Sequence, residues 1–104
     1  MSKVYNSLAE FYPYYKMEHS KIGTRVLHFI GTSLFIMMII LFFIYFDYRL
    51  ILFGVIFAYA FAWFGHFFIE KNKPATFQYP FYSLASDFKL YFEIIIGKEW
   101  IIKP

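Results

Sequence analysis

Cysteine is absent from this chain of 104 residues, which excludes disulfide staples, thiolate metal sites and cysteine nucleophiles together. Any metal held here must therefore take nitrogen or oxygen ligands. Charge is also scarce: 16% of residues are Asp, Glu, Lys or Arg, against 61% hydrophobic, with 16 Phe and 10 Tyr. So few polar side chains cannot cover a water-facing surface around so small a core, whereas a bilayer removes the need to do so. The net charge of +3 comes from scattered basic residues that form no run, which argues against a nucleic-acid partner and for anionic lipid headgroups.

The long apolar runs carry the fold. Residues 29–46 (FIGTSLFIMMIILFFIYF) are eighteen positions without a charge, and residues 50–69 (LILFGVIFAYAFAWFGHFFI) are twenty in which His66 is the sole ionisable group besides tyrosine. Each meets the length of about 20 residues that a helix needs to span ~30 Å of hydrocarbon. Only Asp47, Tyr48 and Arg49 lie between them, so the two spans must be antiparallel neighbours. The expected fold is an all-α membrane protein of one integral membrane domain, residues 1–104. It consists of a two-helix transmembrane hairpin with flanking interfacial amphipathic helices.

The first flank, about 4–18 (VYNSLAEFYPYYKME), is rich in tyrosines suited to the headgroup level, with Pro13 expected to kink or divide it. The second, about 83–96, repeats the polar residues Ser86, Lys89 and Glu93 opposite an apolar face of Leu84, Phe88, Tyr91, Phe92 and Ile95. It is expected to lie in the interface or to pack on the hairpin. Nine of the ten basic residues (Lys3, Lys16, Lys21, Arg25, Lys71, Lys73, Lys89, Lys98 and Lys103) flank the hairpin's open end, and only Arg49 sits at the turn. By the positive-inside rule both termini are cytoplasmic, in a bacterial inner membrane or the endoplasmic reticulum. Gly54, Ala58, Ala62 and Gly65 form a stripe of small residues on the second span, a seam for close helix approach through which a homo-oligomer is expected.

All three histidines belong to one membrane face. His28 lies 20 residues before Tyr48 and His66 lies 18 after it, so at ~1.5 Å per residue they stand within ~3 Å of a common depth. His19 is nine residues before His28, on the same side, and Glu70 is four residues past His66, one turn on. The functional reading is a metal site of His19, His28 and His66, with Glu70 as a fourth ligand or as the partner that orients an imidazole. Imidazoles with a carboxylate suit non-haem Fe(II) or catalytic zinc, and ligand type does not rank the two. Two other classes remain open. One is a haem-binding electron carrier with His28 and His66 as axial ligands; the other is a membrane adaptor or lipid-binding protein whose histidines are incidental.

The segments EHSKIGTRVLHFIGTSL (residues 18–34) and AWFGHFFIEKNKPATF (residues 62–77) resemble the Mpo-type family, named for metabolism of phytosphingosine to odd-numbered fatty acids. The shared features are His19 and His28 eight residues apart at the first span, then Gly65, His66 and Glu70, then Pro74 and Ala75. Thr24 stands where the family favours Asn, and Ser20 where fungal members carry a further histidine. The resemblance implies an Fe2+-dependent dioxygenase acting by α-oxidation. Its substrates would be O2 and a long-chain 2-hydroxy fatty acid, its products CO2 and the acid one carbon shorter, with the matching histidines and Glu70 as catalytic and metal-binding candidates. A 2-hydroxy acid could meet such a metal through its carboxylate and hydroxyl while its tail stays in the membrane lipid. Lys71, Lys73 or Arg25 could attract that carboxylate, or serve only to set topology. Trp63 and Tyr59, one and two turns before His66, could line a cleft for the tail, or pack on lipid or a neighbouring helix.

Overall fold

A computed structural model describes residues 5–74 and 78–99 of the chain. Lys3, Val4, Ala75, Phe77 and Lys103, which enter the readings above, lie outside the described residues. Every regular element among the described residues is helical. In chain order these are α1 (Leu8–Met17), α2 (Ile22–Tyr45), α3 (Arg49–Phe64), a π-helical segment (Gly65–Glu70) that continues α3, and α4 (Pro80–Ile95).

α2, and α3 together with its π-helical continuation, are both long and apolar enough to cross a membrane. The turn between them is fastened locally. Phe46 closes α2 in the left-handed region at φ 55°, its N–H donating to the Phe42 carbonyl. Asp47 then accepts from the backbone N–H of Arg49 at 3.0 Å and pairs with the Arg49 guanidinium at 2.8 Å, which caps the start of α3.

α2 and α3 pack along their length through small residues. A Cβ on Gly31 would stand 3.2 Å from the Ala58 carbonyl oxygen and 3.1 Å from the Phe61 Cβ, and one on Gly54 would stand 3.1 Å from the Met38 Cβ. Gly65 meets Thr24 in the same way at the open end. The small-residue stripe is therefore covered by α2 of the same chain. This corrects the expectation that it serves a second copy: the seam is spent inside the hairpin, where the short turn already delivers a partner helix.

α1 begins at Ser7, whose hydroxyl accepts from the Glu10 N–H at 3.2 Å, and runs unbroken through Pro13. The expected kink or division does not occur. Pro13 removes one hydrogen bond, to the Ala9 carbonyl, but both residues are on the exposed face and the opposite face is anchored by buried Phe11, Tyr12 and Tyr15.

α4 opens with Pro80 at a first-turn position, where its missing N–H has no intrahelical partner to lose. It packs on α1 through Leu90, which joins Phe11, Tyr12 and Tyr15 in the core cluster, and on α2 through Tyr91. Tyr91 stacks on Phe29 at 4.7 Å and shares a 2.8 Å hydrogen bond with Ser33. Its faces do not divide as the sequence pattern suggested. Ser83 and Ser86 point inward with Leu90, while Leu84, Phe92 and Ile95 of the expected packing face are exposed. In a lipid environment this is the economical arrangement, because apolar side chains gain little from leaving lipid and small hydroxyl residues let helices approach.

A leucine at position 31 would have to displace the backbone of α3. Gly31→Leu is expected to cost about 1–3 kcal/mol, with Gly31→Ala milder, as measured by denaturant unfolding in detergent. Equal stability of Gly31→Leu and the wild type would contradict the close packing described.

Candidate metal centre

The three histidines reach one point from three different elements. His19 lies in the short connection between α1 and α2, His28 is on α2, and His66 is the second residue of the π-helical segment. Their ring centroids are 4.4 Å apart for His19 and His28, 4.4 Å for His19 and His66, and 5.6 Å for His28 and His66. The common depth counted from the turn is thus seen in the fold, and His19 fills the space between the other two.

Two of the rings are fixed from behind through Nδ1. His19 Nδ1 lies 2.7 Å from the Tyr15 carbonyl oxygen, so that nitrogen carries the proton and donates. His66 Nδ1 lies 2.7 Å from Asn72 Oδ1 and donates likewise. The Asn72 amide is itself oriented, because its Nδ2 donates to both the backbone carbonyl and the carboxylate of Glu18. His28 Nδ1 lies 3.6 Å from Asp87 Oδ1. With Nδ1 of His19 and His66 donating to these oxygens, their Nε2 atoms are left with a lone pair, the tautomer that ligating histidines adopt under carbonyl partners.

Two such lone pairs close together call for a cation or a proton between them. His19 Nε2 and His28 Nε2 are 2.9 Å apart, and one ring nitrogen from each of the three histidines falls within 4.8 Å of the others. Metal–imidazole bonds of ~2.0–2.1 Å require ligand nitrogens within about 4 Å of one another, so the first pair already fits and the third ring needs only a small inward shift. The cavity at this point has a volume of about 10 Å³, enough for one ion or water. The donor set and its spacing fit a single first-row metal ion. They do not fit the haem alternative, since the His19 ring occupies the gap that a porphyrin between His28 and His66 would need.

The local chain path explains how His66 and Asn72 meet. The π-helical turn widens the end of α3, and Lys71 at φ 64° reverses the chain so that the Asn72 N–H donates to the His66 carbonyl at 2.9 Å. Glu70 takes a different place from the one expected of it. Its carboxylate accepts from the Lys21 backbone N–H at 2.7 Å and from the Ser20 hydroxyl at 3.2 Å, so it caps the otherwise uncapped start of α2. Asn72, not Glu70, is the partner that orients the His66 imidazole.

Tyr15 and Asp87 were not singled out by the sequence pattern, yet they tie the centre together. Tyr15 holds His19 with its carbonyl, stacks its ring on the His19 imidazole at 4.0 Å, and donates its hydroxyl to Asp87. The one available signal was Asp87 itself, an acid on a helix otherwise apolar over most of its length. Arg25, a candidate for drawing in a substrate carboxylate, instead braces the His19 loop. Its Nε–H donates to the His19 carbonyl at 2.7 Å and its guanidinium pairs with Glu99 at 3.0 Å. Ser83, one turn before Asp87, lines the same cavity with a buried hydroxyl that has no hydrogen-bond partner among the described residues.

Burial, reinforced by His28 and His66 alongside, holds the His19 pKa well below the ordinary range, so this imidazole is a neutral, ligand-ready base at pH 7. Burial pushes the Asp87 carboxyl up to about 7, with the Tyr15 hydrogen bond opposing part of that rise. A raised carboxyl pKa means the metal-free fold is favoured below the unfolded value and penalised as pH climbs through the folded one. Asp87→Asn should therefore raise the Tm of metal-free protein relative to wild type by more at pH 8 than at pH 5. A difference independent of pH would refute this assignment.

A family model described as 2-hydroxy-palmitic acid dioxygenase Mpo1-like matches residues 5–99. Among curated proteins and among solved structures, none matches the chain.

Proposed function

Because the chain belongs to the 2-hydroxy-palmitic acid dioxygenase Mpo1-like family, we propose that it is a membrane-embedded Fe(II) dioxygenase that shortens long-chain 2-hydroxy fatty acids by one carbon. The overall reaction takes one 2-hydroxy acid and one O2 to the shorter acid, CO2 and water. The C1–C2 bond is cleaved, O2 is the four-electron oxidant, C1 leaves as CO2, and C2 becomes the carboxyl carbon of the shorter acid. The observation that carries this reading is the trio of imidazoles, two of them held at Nδ1 by hydrogen bonds, with one ring nitrogen of each within 4.8 Å of the others.

In this reading His19, His28 and His66 hold the iron, which when bound supplies the activation of O2. The protein's own residues do the rest. Tyr15, Asn72 and Asp87 keep the imidazoles aligned, and Glu70 fastens the end of the π-helical segment to the start of α2, keeping His66 near His28. Ser83 and Asp87 form the polar wall beside the histidines, where a free hydroxyl and a carboxyl can hydrogen-bond a substrate's carboxylate and 2-hydroxyl. Ala62, Trp63 and Pro74 close the same cavity with largely apolar surface and exclude bulk water.

The hairpin crosses the membrane with both termini cytoplasmic, as the lysines at its open end direct. The exposed apolar side chains of α2 and α3, such as Met37, Ile40, Leu52 and Ile56, then face lipid. The metal lies near the cytoplasmic boundary, where a carboxylate headgroup rests while its tail remains in the bilayer.

Elemental analysis of anaerobically purified protein should find about one iron per chain. His66→Ala should lose it while remaining helical by circular dichroism. Asn72→Ala should weaken iron binding by roughly 10–100-fold, the usual effect of removing a ligand's orienting partner. Stoichiometric zinc in place of iron would redirect the reading to hydrolysis, and unchanged iron in His66→Ala would end it.

A further inference from the structure

α3 and α4 both pack on α2 rather than on each other, and this leaves a gap that begins at the metal centre. The gap is a cleft of about 270 Å³. His28 and Asp87 stand at its head, and its walls are Thr32 and Phe35 of α2, Ala58 and Tyr59 of α3, and Phe88 of α4. From His28 to Phe35 on α2, and from Ala62 to Val55 on α3, are seven residues each, so both walls run ~10 Å parallel to the helix axes. Val55 and Leu84 form its outer rim and are 38% and 48% exposed, so the cleft opens outward between α3 and α4.

We propose that this cleft is a laterally open acyl groove that reads the shape of the part of the chain nearest the carboxyl group and leaves the remainder in the bilayer. The proposal rests on the reading above, because the occupant is the tail of the acid whose head lies at the histidines. A saturated tail leaving the bilayer for this groove exchanges one apolar surrounding for another, so its transfer contributes little free energy. Selectivity comes instead from fit. A straight chain fills the groove, and a side branch within that stretch collides with Phe35, Ala58 or Phe88. Carbons beyond Val55 and Leu84 re-enter lipid, so chain length beyond the rim goes unread.

The test is competition in lipid nanodiscs between a radiolabelled long-chain 2-hydroxy acid and unlabelled straight or methyl-branched 2-hydroxy acids, with iron content and CO2 release followed in parallel. A branch near the carboxyl end should weaken binding by about tenfold or more, and the same branch near the tail end should have no effect. Leu84→Trp alters a half-exposed rim position. It should keep its iron and its affinity for a medium-chain acid, yet lose about tenfold for a long-chain acid whose tail can no longer leave. Indifference to branch position together with unchanged selectivity in Leu84→Trp overturns the groove, as does failure of wild-type protein to bind any of the acids. If the binding pattern holds while no CO2 is released, the groove stands and the dioxygenase reading falls. Release of CO2 without that pattern has the opposite meaning.

Discussion

The structure depends on how three imidazoles are pinned. Nδ1 of His19 is held by the Tyr15 carbonyl and that of His66 by the Asn72 amide oxygen, while the Asp87 carboxyl stands 3.6 Å from His28 Nδ1, and these three partners belong to α1, to the chain just beyond the π-helical segment, and to α4. All of the helical elements are thereby tied to one point. The ring nitrogens that face one another are partly dehydrated and close together, an arrangement that is costly by itself and favourable around a cation. Metal binding and the assembly of α1 and α4 on the hairpin are, on this account, coupled events.

The same constraint explains features that look anomalous in isolation. α4 turns Ser83 and Asp87 toward the three histidines and Leu90 into the apolar cluster of α1, so it covers both at once. The π-helical widening at Gly65–Glu70 is energetically poor as local structure, but with Lys71 in the left-handed region it brings Asn72 back to His66. Arg25, buried and bonded to the His19 carbonyl, fixes the loop from which His19 enters and extends that hold to Glu99 beyond α4.

Much of this was legible in the sequence, and what was not has definite physical reasons. Two charge-free runs and a three-residue turn leave no alternative to an antiparallel hairpin, and counting from that turn places His28 and His66 together. Glu70 was misplaced because helical spacing puts it near His66 but says nothing of the unsatisfied Lys21 N–H that draws its carboxylate away. Asn72 could not be found by periodicity, since it reaches His66 through a chain reversal past the helix end. Asp87 was visible as an acid on an apolar helix, but assigning it to the site required knowing which face of α4 turns inward. The amphipathic pattern misleads there, because the apolar Leu84, Phe92 and Ile95 are exposed while the small hydroxyl residues Ser83 and Ser86 are buried.

The central claim is that three imidazoles bind one metal ion through Nε2. X-ray absorption fine structure on the iron-loaded protein tests it most directly. The account predicts multiple scattering from three imidazoles in the wild type, falling to two in His19→Ala or His28→Ala where metal is retained, and loss of the iron signal in His66→Ala. A spectrum with one imidazole or none, or one unaltered by all three substitutions, would contradict it.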